Sequence, residues 1–559
     1  MILIVGGLAV VIALSTVSNR LGIAPPLILM LVGVGVSLLP FVSSIRIDPE
    51  WILAGVLPGL LYAGAVAIPT VNLRRDFFAI GGLAVLLVVI SSVVLGFIIH
   101  LVIPEVGLAL GIALGAILSP TDAAATTIVR RLGVSSRVGT ILQGESLLND
   151  ATALVLLRSA IAAIAASVSA WKVIGDFLWA ALAAAVIGAL VGWVGVRLRG
   201  VVHNPAPATA ISFLLPFIVY ILSELVHASG LVAVVAAGIV AAELGPKYLD
   251  ARQRLAERSN WQTLEFLLEG TVFLAMGLEL YGLVVDLNRD HETLRLAIGV
   301  AGLAFVVIVL VRWMYVAVLV HGTSASADRR VERAERWRKA RAANGADGNR
   351  PPDDSRRARR RQALRERRDE VMERLDQASP AVRARFDNRL KQIRTRIRRY
   401  LADVDYLLRE PLGFKEASLL TWAGLRGVVT LAAAQTLPLT TPHRSLLVLI
   451  AFMVAGGSLV LQGGTLTALV KALGLTGQDA APEGEWAKLR AELGQAADRV
   501  PAPTDQPADQ IALAKVHAMR QTLLDLRSAG TYTSKSLATV LAELDAEEIS
   551  LQLRLSSEG

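Results

Sequence analysis

The chain of 559 residues is 54% hydrophobic and only 18% charged, and it contains no cysteine. That balance excludes an ordinary soluble domain, a disulfide framework and thiolate metal sites, and it leaves the redox compartment unread. The net charge of +9 points to nucleic acid only until it is located: residues 324–410 hold 26 Lys/Arg against 15 Asp/Glu, and the remainder is close to neutral.

Many apolar runs reach the ~20 residues that a helix needs to cross a bilayer. Thirteen spans are predicted, near 1–18, 22–41, 51–70, 77–102, 106–130, 138–166, 173–197, 207–226, 229–246, 261–282, 294–321, 415–437 and 444–471. The fold class is therefore an all-α polytopic membrane protein. The first span starts at Met1 without a basic stretch before it, and its first charge is Arg20. It reads as a first span with a translocated N-terminus rather than a secretory signal.

Basic residues set the orientation. With the N-terminus outside, inner connections carry Arg20, Arg74, Arg75, Arg130, Arg131, Arg137, Arg197, Arg199, Lys247, Arg252, Arg254 and Arg258. Outer connections carry only Arg46, Lys172, Arg289 and Arg444. A multi-pass cell-membrane protein with a cytoplasmic C-terminus is expected. Four units follow: a transmembrane core over 1–323, a basic cytoplasmic insert over 324–410, two last spans over 411–471, and a cytoplasmic tail over 472–559.

The insert divides in two. Residues 324–355 include NGADGNRPPDD and read as flexible. Residues 356–408 place Val371, Leu375, Phe386, Leu390, Ile393, Ile397 and Leu401 at helical spacing, as a charged, solvated helix or hairpin would. Its basic face also suits anionic lipid headgroups. Nucleic acid is disfavoured, because aromatics are scarce and no recognition motif is present. The tail opens with linker sequence, APEGEW and PAPTDQP, and then carries two amphipathic helices near 506–529 and 534–555.

The chemistry concentrates in Ser119–Asp150. SPTDAAATT and GESLLND put Asp122, Glu145 and Asp150 inside apolar sequence, beside Thr121, Thr126, Ser146 and Asn149. One charge at the bilayer centre costs roughly 2.5–3.5 kcal/mol on insertion scales, so three carboxylates need a reason. Ser146 and Asp150 are four residues apart, as are Glu145 and Asn149; a helix stacks each pair and sets the two pairs side by side, so all four side chains are expected to share one face. Counted from Val138, Asp150 lies about 18 Å into a core of about 30 Å. Pro120 breaks the preceding ladder and frees carbonyls beside Thr121 and Asp122. Interrupted helices at mid-depth are where transporters present backbone oxygens to a cation.

Burial disfavours a bare carboxylate, so such a group holds a proton or a small cation and resists holding both. That competition makes an exchange mechanism if access alternates. Asp150 is the candidate proton and cation carboxylate, with Asp122, Thr121 and Ser146 as co-ligands. Arg312 and Arg426 are also buried in apolar sequence, and each is expected to need a carboxylate. Glu145 suits one of them, Glu269 is a further intramembrane carboxylate for the other, and the assignment stays open.

SPTDAAATT, GESLLNDATALVL, YILSELVHASGLVAVVAAGIV and WAGLRGVVTLAAA together resemble the monovalent cation:proton antiporter family, the branch of NhaP-type bacterial antiporters and animal sodium/hydrogen exchangers. The likeness covers roughly 1–321 and 415–471. It implies thirteen helices in inverted repeats with crossing discontinuous helices, a homodimer, and elevator-like alternating access. It also implies a sodium, lithium or potassium ion at Thr121, Asp122, Ser146 and Asp150, with Asn149 completing an Asn-Asp pair similar to that of the electroneutral branch. Where the family has a short loop, this chain carries its basic insert.

Alternatives remain at this stage. Potassium/proton exchange fits the same frame as sodium/proton exchange. A cation channel would not require coupling to protons. An enzyme fares worst, for there is no nucleotide-binding loop, HExxH or GxSxG, and no cofactor is called for.

Overall fold

The computed structural model describes residues 2–21, 25–39, 50–165, 170–202, 204–289, 294–346, 380–438, 440–479, 484–503 and 506–558, and these are helical with no strand among them. That outcome follows from the sequence. In a run without water, only a helix satisfies every backbone N–H and C=O within one segment. Among the described residues, eight helices are long and apolar enough to cross a membrane. Apart from the first, an unbroken helix of 20 residues over Ile2–Leu21, the remaining predicted spans are shorter or interrupted, and the interruptions matter most.

The chain begins with α1 (Ile2–Leu21), α2 (Pro25–Ser37), α3 (Leu57–Ala67, entered through a π-helical turn over Trp51–Val56) and α4 (Thr70–Arg75). α5 (Phe77–Gly81) and α6 (Leu87–Val102) are joined by a π-helical turn into one apolar rod. Then come α7 (Gly107–Leu118) and α8 (Ala124–Arg131), two halves of one interrupted span. Long helices follow: α9 (Ser136–Ala165), α10 (Ala170–Val201), α11 (Pro205–Glu224), α12 (Gly230–Tyr248), α13 (Ala251–Arg289) and α14 (Leu294–Ala346).

After the insert helix α15 (Pro380–Arg409), a second interrupted span is built from α16 (Phe414–Trp422) and α17 (Val428–Gln435). α18 (Arg444–Ser458) and α19 (Gly464–Leu473) complete the core. The tail holds α20 (Glu485–Asp498), α21 (Ala508–Ala529) and α22 (Ser534–Glu558).

Close packing positions the first broken span. A Cβ on Gly111 or Gly115 of α7 would overlap the carbonyl oxygens of Gly96 and Ser92 on α6. The two backbones therefore touch, as small residues permit in membrane interfaces. The hydroxyl groups of Ser91 and Ser119 meet at 2.7 Å across this seam.

Two expectations change outside the core. α14 runs unbroken through Ala346, so the segment expected to be flexible from 324 is helical that far; residues 347–379 lie outside the described residues. The tail has three helices rather than two. α20 arises inside the expected linker because Leu489 and Leu493, one turn apart, are buried against Val516, Leu523, Leu526 and Leu544 in a core of the tail's own.

The end of α15 is docked rather than solvated. Asp403 pairs with Arg75 at 2.7 Å, the Tyr406 hydroxyl donates to Asp76 at 2.9 Å, and Glu410 accepts from the Arg137 backbone N–H at 2.6 Å. Arg75 also donates to the Gly530 carbonyl of the tail at 2.7 Å. Arg399 donates to Ser528 O at 2.8 Å. Insert, tail and core thus meet on one face.

Candidate functional site

Both broken spans open at the same place. Residues 119–122 run without helical structure between α7 and α8, where Pro120 offers no N–H. Residues 424–427 do the same between α16 and α17. The two breaks cross and bond directly, the Asp122 N–H donating to Leu425 O at 2.7 Å. Asp122 Oδ1 accepts from Ala124 N at 2.9 Å and so caps α8. A Cβ on Gly427 would overlap the Asp122 carboxylate, so that carboxylate also lies against the first residues of α17. Two positive helix ends face one acid.

The carbonyl ends of the half-helices are met by arginines. Arg312, 1% exposed, donates through Nε and Nη2 to Leu420 O at 2.9 and 2.8 Å, at the end of α16. The same guanidinium takes Glu145 as a bidentate partner, Nη2 to Oε2 at 2.9 Å and Nη1 to Oε1. Arg426 donates to Leu118 O at the end of α7, at 3.3 Å, and to Gly424 O. Its backbone N–H donates to Ser458 Oγ at 2.8 Å.

The open assignment is thereby resolved: Glu145 belongs to Arg312. The expectation that Arg426 needs its own carboxylate, with Glu269 as the candidate, is corrected. Freed helix-end carbonyls carry partial negative charge and accept from the Arg426 Nε and Nη1, and the charge of Glu145 acts on that guanidinium as well.

The sequence-derived residues sort into two groups. Thr121, Asp122, Ser146, Asp150 and Glu269 line one cavity of about 150 Å3, together with Gln143, Arg130 and Glu265. Asp150 is only 8% exposed, and no hydrogen bond reaches it among the described residues. Ser146 Oγ donates to Gln143 O at 3.2 Å, which leaves its lone pairs to the cavity.

Behind the cavity runs a buried chain. Asn149 Nδ2 donates to Thr121 Oγ1 at 2.6 Å, and Thr121 donates to Glu145 Oε1 at 3.2 Å. Glu145 and Asn149 therefore do not share the Ser146–Asp150 face in use. They turn aside and hold Thr121 in place.

Residues 7–338 match the transmembrane family described as sodium/hydrogen exchanger. The chain belongs to the sodium/hydrogen exchanger family. It is 26% identical over 523 residues to an uncharacterized Na+/H+ exchanger of Mycobacterium tuberculosis, covering 90% of this chain and 80% of that protein. An uncharacterized Na+/H+ exchanger of Escherichia coli is 36% identical over 290 residues, 50% of this chain and 53% of the relative. A sodium, potassium, lithium and rubidium/H+ antiporter of Bacillus subtilis is 28% identical over 299 residues, 52% and 45% of the two chains.

Among solved structures, the sodium proton antiporter MjNhaP1 of Methanocaldococcus jannaschii superposes with a TM-score of 0.55 at 16% identity, over 84% of this chain and 97% of that one. The exchanger fold, an all-helical multi-pass membrane protein with crossed broken helices, is thus placed by family and by shape together.

Several residues at this crossing were not singled out from the sequence. Gly424 and Gly427 flank Arg426, and a Cβ on Gly424 would stand 2.6 Å from Arg312 Nε. Two glycines bracketing a lone arginine in an apolar run were the available signal. Gln143, Arg130 and Glu265 carried none: the first reads as a helix filler, and the other two as ordinary charges at a span end.

Proposed function

We propose that the chain exchanges a cytoplasmic sodium or lithium ion for an external proton, one for one, by alternating access. Asp150 holds proton or cation in competition, and Asp122, Thr121 and Ser146 complete the cation's oxygen shell. One observation carries this reading: these four residues converge on a single buried cavity at the crossing of the broken helices. Asp122 has two helix ends to compensate its charge. Asp150 has none, so it is the carboxylate that requires a proton or a cation beside it. Asn149 donates to Thr121 and brings no second titrating charge next to Asp150, which supports an electroneutral cycle.

Potassium is the second reading, favoured by the Bacillus subtilis relative whose name includes potassium and rubidium. We further propose a cell-membrane location with the N-terminus outside and the C-terminus in the cytoplasm, on the strength of the basic inner connections. A homodimer, a role in sodium and pH homeostasis, and contact of the insert with anionic lipid complete the reading.

The test is a pH-dye measurement in inside-out vesicles, with sodium, lithium and potassium added in turn to wild type and Asp150→Asn made in equal amounts. Dequenching by sodium or lithium that vanishes in the variant is the expected result. A response to potassium alone changes the ion and keeps the mechanism. Cation flux that survives the substitution points to a channel and overturns the assignment of Asp150.

A further inference from the structure

The tail does not simply hang from the core. α21 and α22 roof a second, larger cavity of about 510 Å3, whose floor is formed by the ends of α3 and α4 and by α12 and α13. Arg254 on α13 pairs with Asp545 on α22, and Arg527 on α21 donates to Thr70 Oγ1 at 3.0 Å and Ala242 O at 3.1 Å. Among the described residues, just two line both this vestibule and the cavity that holds Asp150: Arg130 and Glu265. They mark the neck between the two spaces.

We propose that Arg130 and Glu265 are the access gate through which the transported cation passes between the tail-roofed vestibule and the exchange cavity. The proposal rests on the exchange reading above and adds two residues to it. Glu265 and Glu269 sit one turn apart on α13 and share a face. Glu269 lines the inner cavity alone, whereas Glu265 lines both, so the two carboxylates form a descending path toward Asp122 and Asp150.

Arg130 is the counterweight. It interacts electrostatically with Glu265 and with Asp479 of the tail linker, and it is fixed to Gln143 Oε1 on α9. Gln143 is itself held by donation to Gly64 O at 3.1 Å. Arg130 also lies on α8, the short helix whose first N–H donates to Asp122, so the gate and a cation ligand are linked through that helix. The other charged groups around the vestibule are Arg254, Glu257, Arg258, Arg527 and Asp545, and Asp545 is engaged by Arg254.

A fixed cation at the neck repels an arriving one, and the adjacent carboxylate cancels that repulsion. Removing either member of the pair therefore acts in opposite directions. Glu265→Gln leaves Arg130 uncompensated and raises the half-saturating cation concentration. Arg130→Gln leaves Glu265 alone and lowers it.

The experiment uses the full chain in vesicles with the tail side facing the medium, titrating sodium, lithium or potassium. It compares wild type, Glu265→Gln, Glu265→Asp, Arg130→Gln and the double Arg130→Gln/Glu265→Gln variant. Glu265→Gln is expected to raise half-saturation on the order of 10-fold, with a smaller change in maximal rate. Glu265→Asp restores most of the loss, Arg130→Gln shifts half-saturation the other way, and the double variant returns toward wild type.

Single variants that move half-saturation in the same direction, or that move only the maximal rate, overturn the gate while exchange through Asp150 stands. An Asp150→Asn control measured alongside separates the two readings: flux that survives it overturns the exchange reading, and the gate with it. Should Glu265→Gln not fold, Arg130→Gln alone must lower half-saturation, and an unchanged or raised value rejects the proposal.

Discussion

Glycine at 427 is as much a part of the site as the aspartate it touches. Any side chain there overlaps the Asp122 carboxylate, which can move aside only by giving up its bond from Ala124 N, because its own N–H is bound to Leu425 O. Displacing a ligand by about 1 Å costs on the order of 100-fold in rate. Gly427→Ala is therefore expected to lose about that much exchange while the protein still purifies as a folded species, a comparison that vesicle assays beside size-exclusion profiles make directly.

The Glu145–Arg312 pair acts differently. Both residues are 1% exposed, and removing one strands the other charge in the interior, at about 3–5 kcal/mol. Glu145→Ala should depress thermal stability in detergent severely. A double replacement by apolar residues of similar volume, Glu145→Leu with Arg312→Met, should recover much of it. If the double variant is no more stable than the single one, the carbonyl contacts of Arg312 to Leu420 matter more than its carboxylate.

At the scale of elements, the insert helix α15 owes its attachment to its last turns. Glu410 receives the Arg137 N–H and the Ser135 hydroxyl, and Asp76 receives Arg137 and Tyr406. Burial raises the Glu410 carboxyl above its ordinary range, only partly offset by the bonds from Arg137 and Ser135. Burial also pushes the Tyr406 hydroxyl up, so it stays protonated and keeps donating to Asp76.

A carboxyl raised by folding is favoured in its protonated form. Its contribution is complete below the usual carboxylate value of about 4.3 and is lost as pH climbs through the raised one. Docking of α15 should accordingly weaken across that window, and hydrogen exchange over 400–413 should speed up with pH beyond its intrinsic dependence. Glu410→Gln should flatten the response. A pH profile identical in wild type and variant would assign the sensitivity to another group.

At the scale of the whole molecule, the sequence carried the helical class, the broken span at Pro120 and several of the side chains that line the cavity at the crossing. Each rests on a local physical rule: apolar run length, proline's missing N–H, and the cost of an intramembrane charge. What it did not carry depended on pairings distant in sequence. Arg75, Arg137, Arg199 and Arg254 read as loop charges that set orientation, yet each is paired with an acid, Asp403, Asp76, Glu257 and Asp545 respectively. Arg426 was expected to seek a carboxylate because one of the carbonyls it uses, Gly424 O, lies in the second helix break, which has no proline to announce it, and the other, Leu118 O, is distant in sequence.

The tail was legible as helices but not as a part of the core. Asp545 supplies the charged contact between α22 and α13. It is shared between Arg254 of the core, through Nε at 3.1 Å, and Arg520 of the tail at 3.4 Å. Truncating one partner of such a charge pair at an interface costs about 2–5 kcal/mol. Asp545→Ala should therefore leave the tail folded around its own Leu and Val core but release it from α13. Limited proteolysis in the 499–507 connection should quicken, and hydrogen exchange should rise at both faces of the former contact while the interior of the tail bundle stays protected. If the tail interior loosened along with the contact, docking and folding of the tail would be one event, and α20–α22 would be a limb of the core rather than a unit resting on it.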